Sequence, residues 1–119
     1  VINEQLSSGL ANITGEELDK VIISYEPVWA VGTGHNALPS DVIVAIEAIR
    51  RQIKELYGLK ASQNIRVLYG GSVTVGNADA YLCLPGLDGL FIGASSINPK
   101  VFSEIIKKAH KNPKTNEKE

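Results

Sequence analysis

Three short apolar runs, separated by segments with helical periodicity, constrain the fold of this chain more than any other feature. The runs occupy 21–25, 65–69 and 90–92, and the first is so nearly continuous that it is typical of a strand buried on both faces. Helical periodicity or helix-start signals mark 2–10, 39–57, 77–84 and 98–109. This order predicts an α/β fold with parallel strands joined by right-handed crossovers.

Prolines, glycines and capping residues define the predicted helix ends. Pro39 suits the first position of the longest helix, Gly58 suits its end, and Asn98 suits the N-cap of the last helix. The segment 111–119 is polar and contains Pro113, so we expect a frayed tail after a domain spanning 1–110. Because three strands cannot close a barrel, the pattern leaves open a small open sheet or part of a larger barrel.

Composition and charge argue against several classes of partner. Of the 119 residues 44% are hydrophobic, and the formal net charge of −1 lacks the clustered positive charge that nucleic acid binding requires. No apolar run approaches the roughly 18 residues of a membrane span, and no signal peptide pattern is seen. The single cysteine, Cys83, cannot form an internal disulfide and lies in an apolar stretch, which indicates a packing role. We expect no nucleic acid partner, no membrane association and a cytoplasmic location.

The ends of the predicted strands carry the candidate chemistry, since function in parallel α/β folds gathers at the C-terminal ends of strands. Glu26 directly follows the first strand, where a carboxylate is solvated, caps a helix or is functional. Gly70-Gly71 and Gly93 end the other two strands, and glycine lets backbone N–H groups approach an anion closely. For one such end a tight turn alone is the better explanation, but two on neighbouring strands make phosphate binding as good an explanation as tight turns.

Three segments, in order, resemble motifs of one enzyme family. Segment 25–34 reads YEPVWAVGTG, segment 69–73 reads YGGSV, and segment 88–93 reads DGLFIG. The first closely matches the signature of triosephosphate isomerase, the second matches its next motif, and the third resembles the approach to its last phosphate-binding turn. The resemblance runs from Val1 to about His110, and it implies the last three strand–helix units of a (β/α)8 TIM barrel.

The resemblance also implies a function. The family interconverts dihydroxyacetone phosphate and D-glyceraldehyde 3-phosphate, in glycolysis and gluconeogenesis, by glutamate-mediated proton transfer through an enediolate. Glu26 matches its catalytic base, and the positions that bind the substrate phosphate match Gly32, Ser72, Gly93 and Ala94. The lid that closes over substrate matches the loop up to Ala37, and its expected residues are Pro27, Val28, Trp29, Ala30, Val31, Gly32, Thr33 and Gly34. The resemblance implies a small triose phosphate substrate, no metal, no cofactor and a homodimer for the full-length enzyme.

The chain departs from the family pattern at several points. Ala94 replaces the second glycine of the last phosphate turn, which keeps the N–H group but adds a methyl and disfavours a positive φ. The segment His35-Asn36-Ala37 replaces the usual Lys-Thr-Ala type of hinge. The family's lysine and asparagine from the first strand, and its histidine from the fourth, have no counterpart here. We therefore expect this chain alone to be an inactive fragment.

Two other interpretations bear on this assignment. Segment 32–37 fits the G-x-G-x-x-A pattern of dinucleotide-binding proteins, but it does not directly follow the strand, and the acid about 20 residues on, Glu55, lies in a predicted helix. The second interpretation is that the chain is not an enzyme but a fragment that folds poorly or dimerises through exposed sheet edges. It concerns only the isolated piece and does not compete with the family assignment.

Overall fold

The computed structural model describes residues 1–30 and 33–112. Its helices are α1 (Ile2–Gly9), α2 (Pro39–Tyr57), α3 (Leu59–Asn64), α4 (Ala78–Leu82) and α5 (Pro99–Lys111). Its strands are β1 (Ile22–Tyr25), β2 (Arg66–Gly71) and β3 (Gly89–Ile92), and short 3₁₀ turns cover Glu17–Lys20 and Ala94–Ser96. The predicted order of helices and strands is confirmed, with α3 as an addition that sequence periodicity did not reveal.

The three strands form one parallel sheet in the order β1-β2-β3. Tyr25 pairs with Tyr69 and Gly71 pairs with Ile92, so the strands end at the same edge of the sheet. The prediction of parallel strands is confirmed. Because the strand order follows the chain order, both crossovers run in the same direction and place their helices on one face.

The other face of the sheet is left open by the described part of the chain. Val67 and Tyr69 of β2 are fully buried in the core, whereas Ile22 of β1 and Phe91 of β3 are 57% and 55% exposed. The prediction that β1 is buried on both faces is therefore wrong for this structure. A strand is buried on both faces only when a layer covers each side of its sheet, and the described helices cover one side.

Helix α2 organises the core on the covered side. Its buried stripe consists of Val42, Ala45, Ile46, Ile49 and Ile53, and the helix packs against α1, α3 and α4. As predicted, Pro39 opens this helix. Leu38, the residue before it, makes no side-chain cap. Gly58 ends it with a φ of 99°, a backbone conformation that glycine adopts without the steric cost of a Cβ atom.

The C-terminal part of the described chain confirms one prediction and corrects another. The Asn98 side chain accepts hydrogen bonds from the N–H groups of Lys100 and Val101, so the predicted N-cap of α5 is confirmed. Cys83 follows the last residue of α4 and is exposed, so its predicted packing role is wrong. The neighbouring Tyr81 and Leu82 fill the core instead, because the helix turns them inward. Helix α5 extends to Lys111, and 113–119 of the expected tail lie outside the described residues.

An arginine on α2 links the helices to the sheet. The Arg50 guanidinium lies 2.9 Å from Asp88 Oδ2, which also accepts the N–H of Val67 at the start of β2. The same guanidinium donates to three carbonyl oxygens, those of Ser62, Ile65 and Gly86. One side chain therefore holds together α2, the end of α3 and the entries to β2 and β3. Within the described residues, no helix is long and apolar enough to cross a membrane.

We expect Arg50→Ala to lower the free energy of unfolding by about 3 kcal/mol, because it removes a cation and the donor to several shielded oxygens. Arg51→Ala is the matched control, since Arg51 is exposed on the same helix, and its effect should stay within about 0.5 kcal/mol. Urea unfolding followed by circular dichroism measures both variants. Equal unfolding midpoints would show that the Arg50 interactions do not stabilise the fold.

Candidate functional site

The C-terminal ends of the three strands border a cavity of about 310 Å³. Five of the residues predicted for the site line it, namely Glu26, Gly34, Ser72, Gly93 and Ala94. The parallel register explains their meeting, because Glu26 and Gly34 come after β1, Ser72 after β2, and Gly93 and Ala94 after β3. Gly32 and Val31, also predicted for the site, lie outside the described residues.

A row of three residues crosses the open face of the sheet at this cavity. Gly70 pairs with Phe91 in β3, and on its other side it lies beside Glu26, just past the end of β1. A Cβ atom built on Gly70 would lie 2.8 Å from Glu26 Cγ and 2.9 Å from Glu26 Oε1. The absence of a side chain at Gly70 therefore makes room for the glutamate to lie across β2.

The lining of the cavity suits an anion held by uncharged donors. None of the described lining residues carries a positive charge, and the turns after β2 and β3 supply backbone N–H groups together with the hydroxyl of Thr74. Glu26 is the one carboxylate among these lining residues. The described chain holds no group of three or more His, Cys, Asp or Glu side chains that could bind a metal ion.

Two serine hydroxyls tie the strand ends to one another. Ser72 Oγ donates to the carbonyl oxygen of Ala30 at 2.9 Å, which fastens the loop after β1 to the turn after β2. Ser95 Oγ donates to the carbonyl oxygen of Val73 at 2.6 Å, which fastens the turn after β3 to the same turn. Sequence reasoning did not single out Ser95, although a hydroxyl two positions beyond Gly93 was a signal for it.

Ala94 occupies the last turn without the expected backbone penalty. It opens the 3₁₀ turn Ala94–Ser96 and lines the cavity. Among the described residues, Asn12 is the only non-glycine residue with a positive φ. The methyl group at position 94 therefore does not force the backbone into a disfavoured region.

The loop between β1 and α2 is fastened at its C-terminal end by two stacked tyrosines. The Tyr69 hydroxyl accepts the N–H of Ala37 at 3.0 Å, and the Tyr81 hydroxyl donates to the carbonyl oxygen of the same residue. The two rings stack with their centroids 4.4 Å apart. The Asn36 side chain donates to the Tyr81 hydroxyl at 2.8 Å. The sequence carried a signal for Tyr69, within the YGGSV segment, but none for Tyr81.

Other described residues of this loop are more open. Thr33 Oγ1 donates to the carbonyl oxygen of Trp29 and accepts the N–H of His35. Val28 and Trp29 are 89% and 54% exposed, and they line a groove of about 700 Å³ along the free edge of β1. At the base of the loop, burial raises the pKa of Tyr25, and the negative charge of Asp41 raises it further.

The structure places the acid of the alternative dinucleotide fingerprint away from any strand end. Glu55 lies within α2, as predicted, and segment 32–37 begins well after β1 ends at Tyr25. A dinucleotide fingerprint needs its glycines in the turn directly after the strand and its acid at the end of the next strand. The arrangement therefore gives no support to a dinucleotide site.

Comparisons with known proteins match this chain to one family. A family model described as triosephosphate isomerase matches residues 1–109. The chain is 41% identical over 107 residues to the triosephosphate isomerase of Dictyoglomus turgidum, covering 90% of this chain and 43% of that relative. It is 41% identical over 105 residues to the enzyme of Symbiobacterium thermophilum, covering 88% of this chain and 41% of that relative. It is 42% identical over 105 residues to the triosephosphate isomerase of Treponema denticola, and the match covers 88% of this chain and 42% of that relative.

The chain spans less than half the length of the curated relatives it matches. The matched region includes all three strands and every described residue that lines the cavity. The chain belongs to the triosephosphate isomerase family.

Proposed function

We propose that this chain supplies the base and the phosphate-binding turns of a triosephosphate isomerase active site. The observation that carries the proposal is the meeting of Glu26 with the turns after β2 and β3 around one cavity. Its volume, about 310 Å³, is at the lower end of the range for small-molecule sites and suits a three-carbon phosphate. On this proposal the chain forms the last three strand–helix units of a (β/α)8 barrel, with the active site at the C-terminal face.

Proton transfer is the chemistry assigned to Glu26. A carboxylate is a suitable base for a proton on a carbon next to a carbonyl, and the same group can return the proton to the adjacent carbon. The intermediate is an enediolate, and excluding water from it limits loss of its phosphate. The loop from Pro27 to Gly34 is the proposed lid, and Ser72 holds its described part at Ala30.

The substrate phosphate is assigned to the backbone N–H groups of Ser72, Gly93 and Ala94. All three residues line the cavity that contains Glu26. Backbone donors at consecutive turn residues form anion-binding concavities, and they add no positive charge of their own. Gly32 belongs to the same assignment on the family resemblance alone.

The chain by itself lacks part of what the reaction needs. An enediolate requires preorganised electrophilic donors, and none of the described lining residues is a cation. The open face of the sheet, with Ile22 and Phe91, and the groove beside Val28 and Trp29 are surfaces that further barrel strands would cover. We therefore propose that catalysis requires an assembly that contains the missing strands and that this chain alone is inactive. On the family resemblance, that assembly is a cytoplasmic homodimer.

We expect the chain alone to show no isomerase activity and to gain it when combined with the complementary N-terminal part of a relative. In that assembly Glu26→Gln should lower kcat by about 10³-fold, because glutamine keeps the shape but cannot accept the proton. Glu47→Gln, on the exposed side of α2, is the matched control and should leave kcat unchanged. A coupled assay of glyceraldehyde 3-phosphate conversion measures all of them. Efficient turnover by the lone chain, or full activity of Glu26→Gln, would contradict the proposal.

Gly70→Ala should displace the Glu26 side chain, because the new Cβ would lie 2.8 Å from Glu26 Cγ. An exposed side chain can turn away, so unfolding should change by less than about 1 kcal/mol. Activity of the assembly should nevertheless fall by about 10²-fold, since a base displaced by an ångström loses its geometry. Gly76→Ala is the control, because a Cβ there would meet only Thr74 Oγ1, at 3.8 Å. Equal activity of the two variants would show that the space at Gly70 does not position Glu26.

Ala94→Pro should weaken binding of a phosphate-bearing substrate analogue by about tenfold or more, because it deletes one N–H donor. Ala94→Gly keeps the donor and should bind as tightly as the parent or more tightly. Calorimetric titration of the assembly measures both affinities, and circular dichroism checks that the fold is retained. Unchanged affinity in a folded proline variant would place the Ala94 N–H outside the phosphate site.

A further inference from the structure

The backbone of Ala37 is bracketed on both sides by tyrosine hydroxyls. Its N–H group donates to Tyr69, on β2, and its carbonyl oxygen accepts from Tyr81, on α4. The Asn36 amide nitrogen donates to the Tyr81 hydroxyl at 2.8 Å and lies 3.3 Å from the carbonyl oxygen of Ala37. Tyr81 is 44 residues from Ala37 in the chain, so only the fold brings them together.

The Tyr81 hydroxyl is satisfied as donor and as acceptor in a fully buried place. Its side chain has no exposed surface, and burying a hydroxyl costs free energy unless it is hydrogen-bonded. Burial raises the pKa of Tyr81 to about 12, although the hydrogen bond from Asn36 acts in the opposite direction. At neutral pH the group therefore keeps its proton and remains a donor to Ala37.

Contacts lead from Tyr81 to the cavity. Its ring stacks on the ring of Tyr69, and a Cβ built on Gly71 would lie within 2.2 Å of the Tyr69 hydroxyl oxygen. Gly71 lines the candidate site, as does Gly34, three residues before Ala37. A shift of the Tyr81 ring or hydroxyl would thus reach both the turn after β2 and the loop after β1.

We propose that Tyr81 and Asn36 form a positioning pair that fixes the C-terminal end of the β1–α2 loop. Tyr81 holds the carbonyl oxygen of Ala37, Asn36 holds the Tyr81 hydroxyl, and together they set the alignment of the Ala37 N–H with Tyr69. Neither residue touches the cavity, so the pair acts through the loop and through Tyr69. The consequence for substrate binding rests on the proposed function, whereas the effect on the loop does not.

Amide hydrogen exchange in the 119-residue chain tests the effect on the loop. Tyr81→Phe and Asn36→Ala should each speed exchange of the Ala37 amide by about tenfold relative to amides of α5, since each removes part of a hydrogen-bonded unit. Tyr57→Phe is the matched control, because the Tyr57 hydroxyl also donates to carbonyl oxygens, those of Leu10 and Ile13, away from the loop. The control should change Ala37 exchange by less than about twofold. The double variant should exceed either single variant only slightly, because the two side chains act as one unit.

Steady-state kinetics of the assembled enzyme test the consequence for binding. Tyr81→Phe should raise KM about fivefold with little change in kcat, which indicates weaker binding rather than a smaller folded fraction. Tyr57→Phe, with a comparable lost hydroxyl, should change neither constant. A purely structural role of Tyr81 would lower the apparent kcat and leave KM as it is.

The outcomes separate this proposal from the proposed function. Equal Ala37 exchange in Tyr81→Phe and Tyr57→Phe would overturn the positioning pair. Faster Ala37 exchange with an unchanged KM in an active assembly would contradict the proposed effect of the pair on substrate binding. If the parent assembly shows no isomerase activity, the proposed function fails, and exchange at Ala37 alone then decides the role of the pair in the loop.

Discussion

The parallel register of three strands is the constraint on which the rest of this structure depends. Pairing of Tyr25 with Tyr69 and of Gly71 with Ile92 ends all three strands at one edge. That register brings Glu26 to one cavity with Ser72 and Gly93, which lie 46 and 67 residues further along the chain. A slip of one residue would turn Glu26 to the helix-covered face and break the row that it forms with Gly70 and Phe91.

The one-sided covering of the sheet has a simple topological origin. Strands added in chain order, with crossovers in a common direction, collect their helices on one face. The core therefore forms between α2 and the covered face, and Arg50 joins this layer to the strand entries through Asp88. On the opposite face, Ile22 and Phe91 stay exposed because no described helix covers that side of the sheet.

Much of the fold could be predicted from local signals. Pro39, Gly58 and Asn98 each act on their own few residues, and their helix ends appear where the sequence placed them. Helix α3 escaped prediction because it is too short to show a periodic stripe. Cys83 was misjudged because an apolar neighbourhood in sequence does not say which way a helix turns each side chain. The predicted burial of β1 on both faces was wrong because a strand is buried on both faces only when each side of its sheet is covered. The described helices cover one side of this sheet.

The sequence by itself determined the family, the strand–helix order and the candidate base, because these rest on motifs and periodicities that are local. Only the tertiary structure decided which side chains meet. The space at Gly70 that admits Glu26, the bond from Ser95 to Val73, and the enclosure of Ala37 by Tyr69 and Tyr81 join segments far apart in the chain. Their distances depend on sheet register and on the packing of α4, and neither can be read from spacing along one sequence.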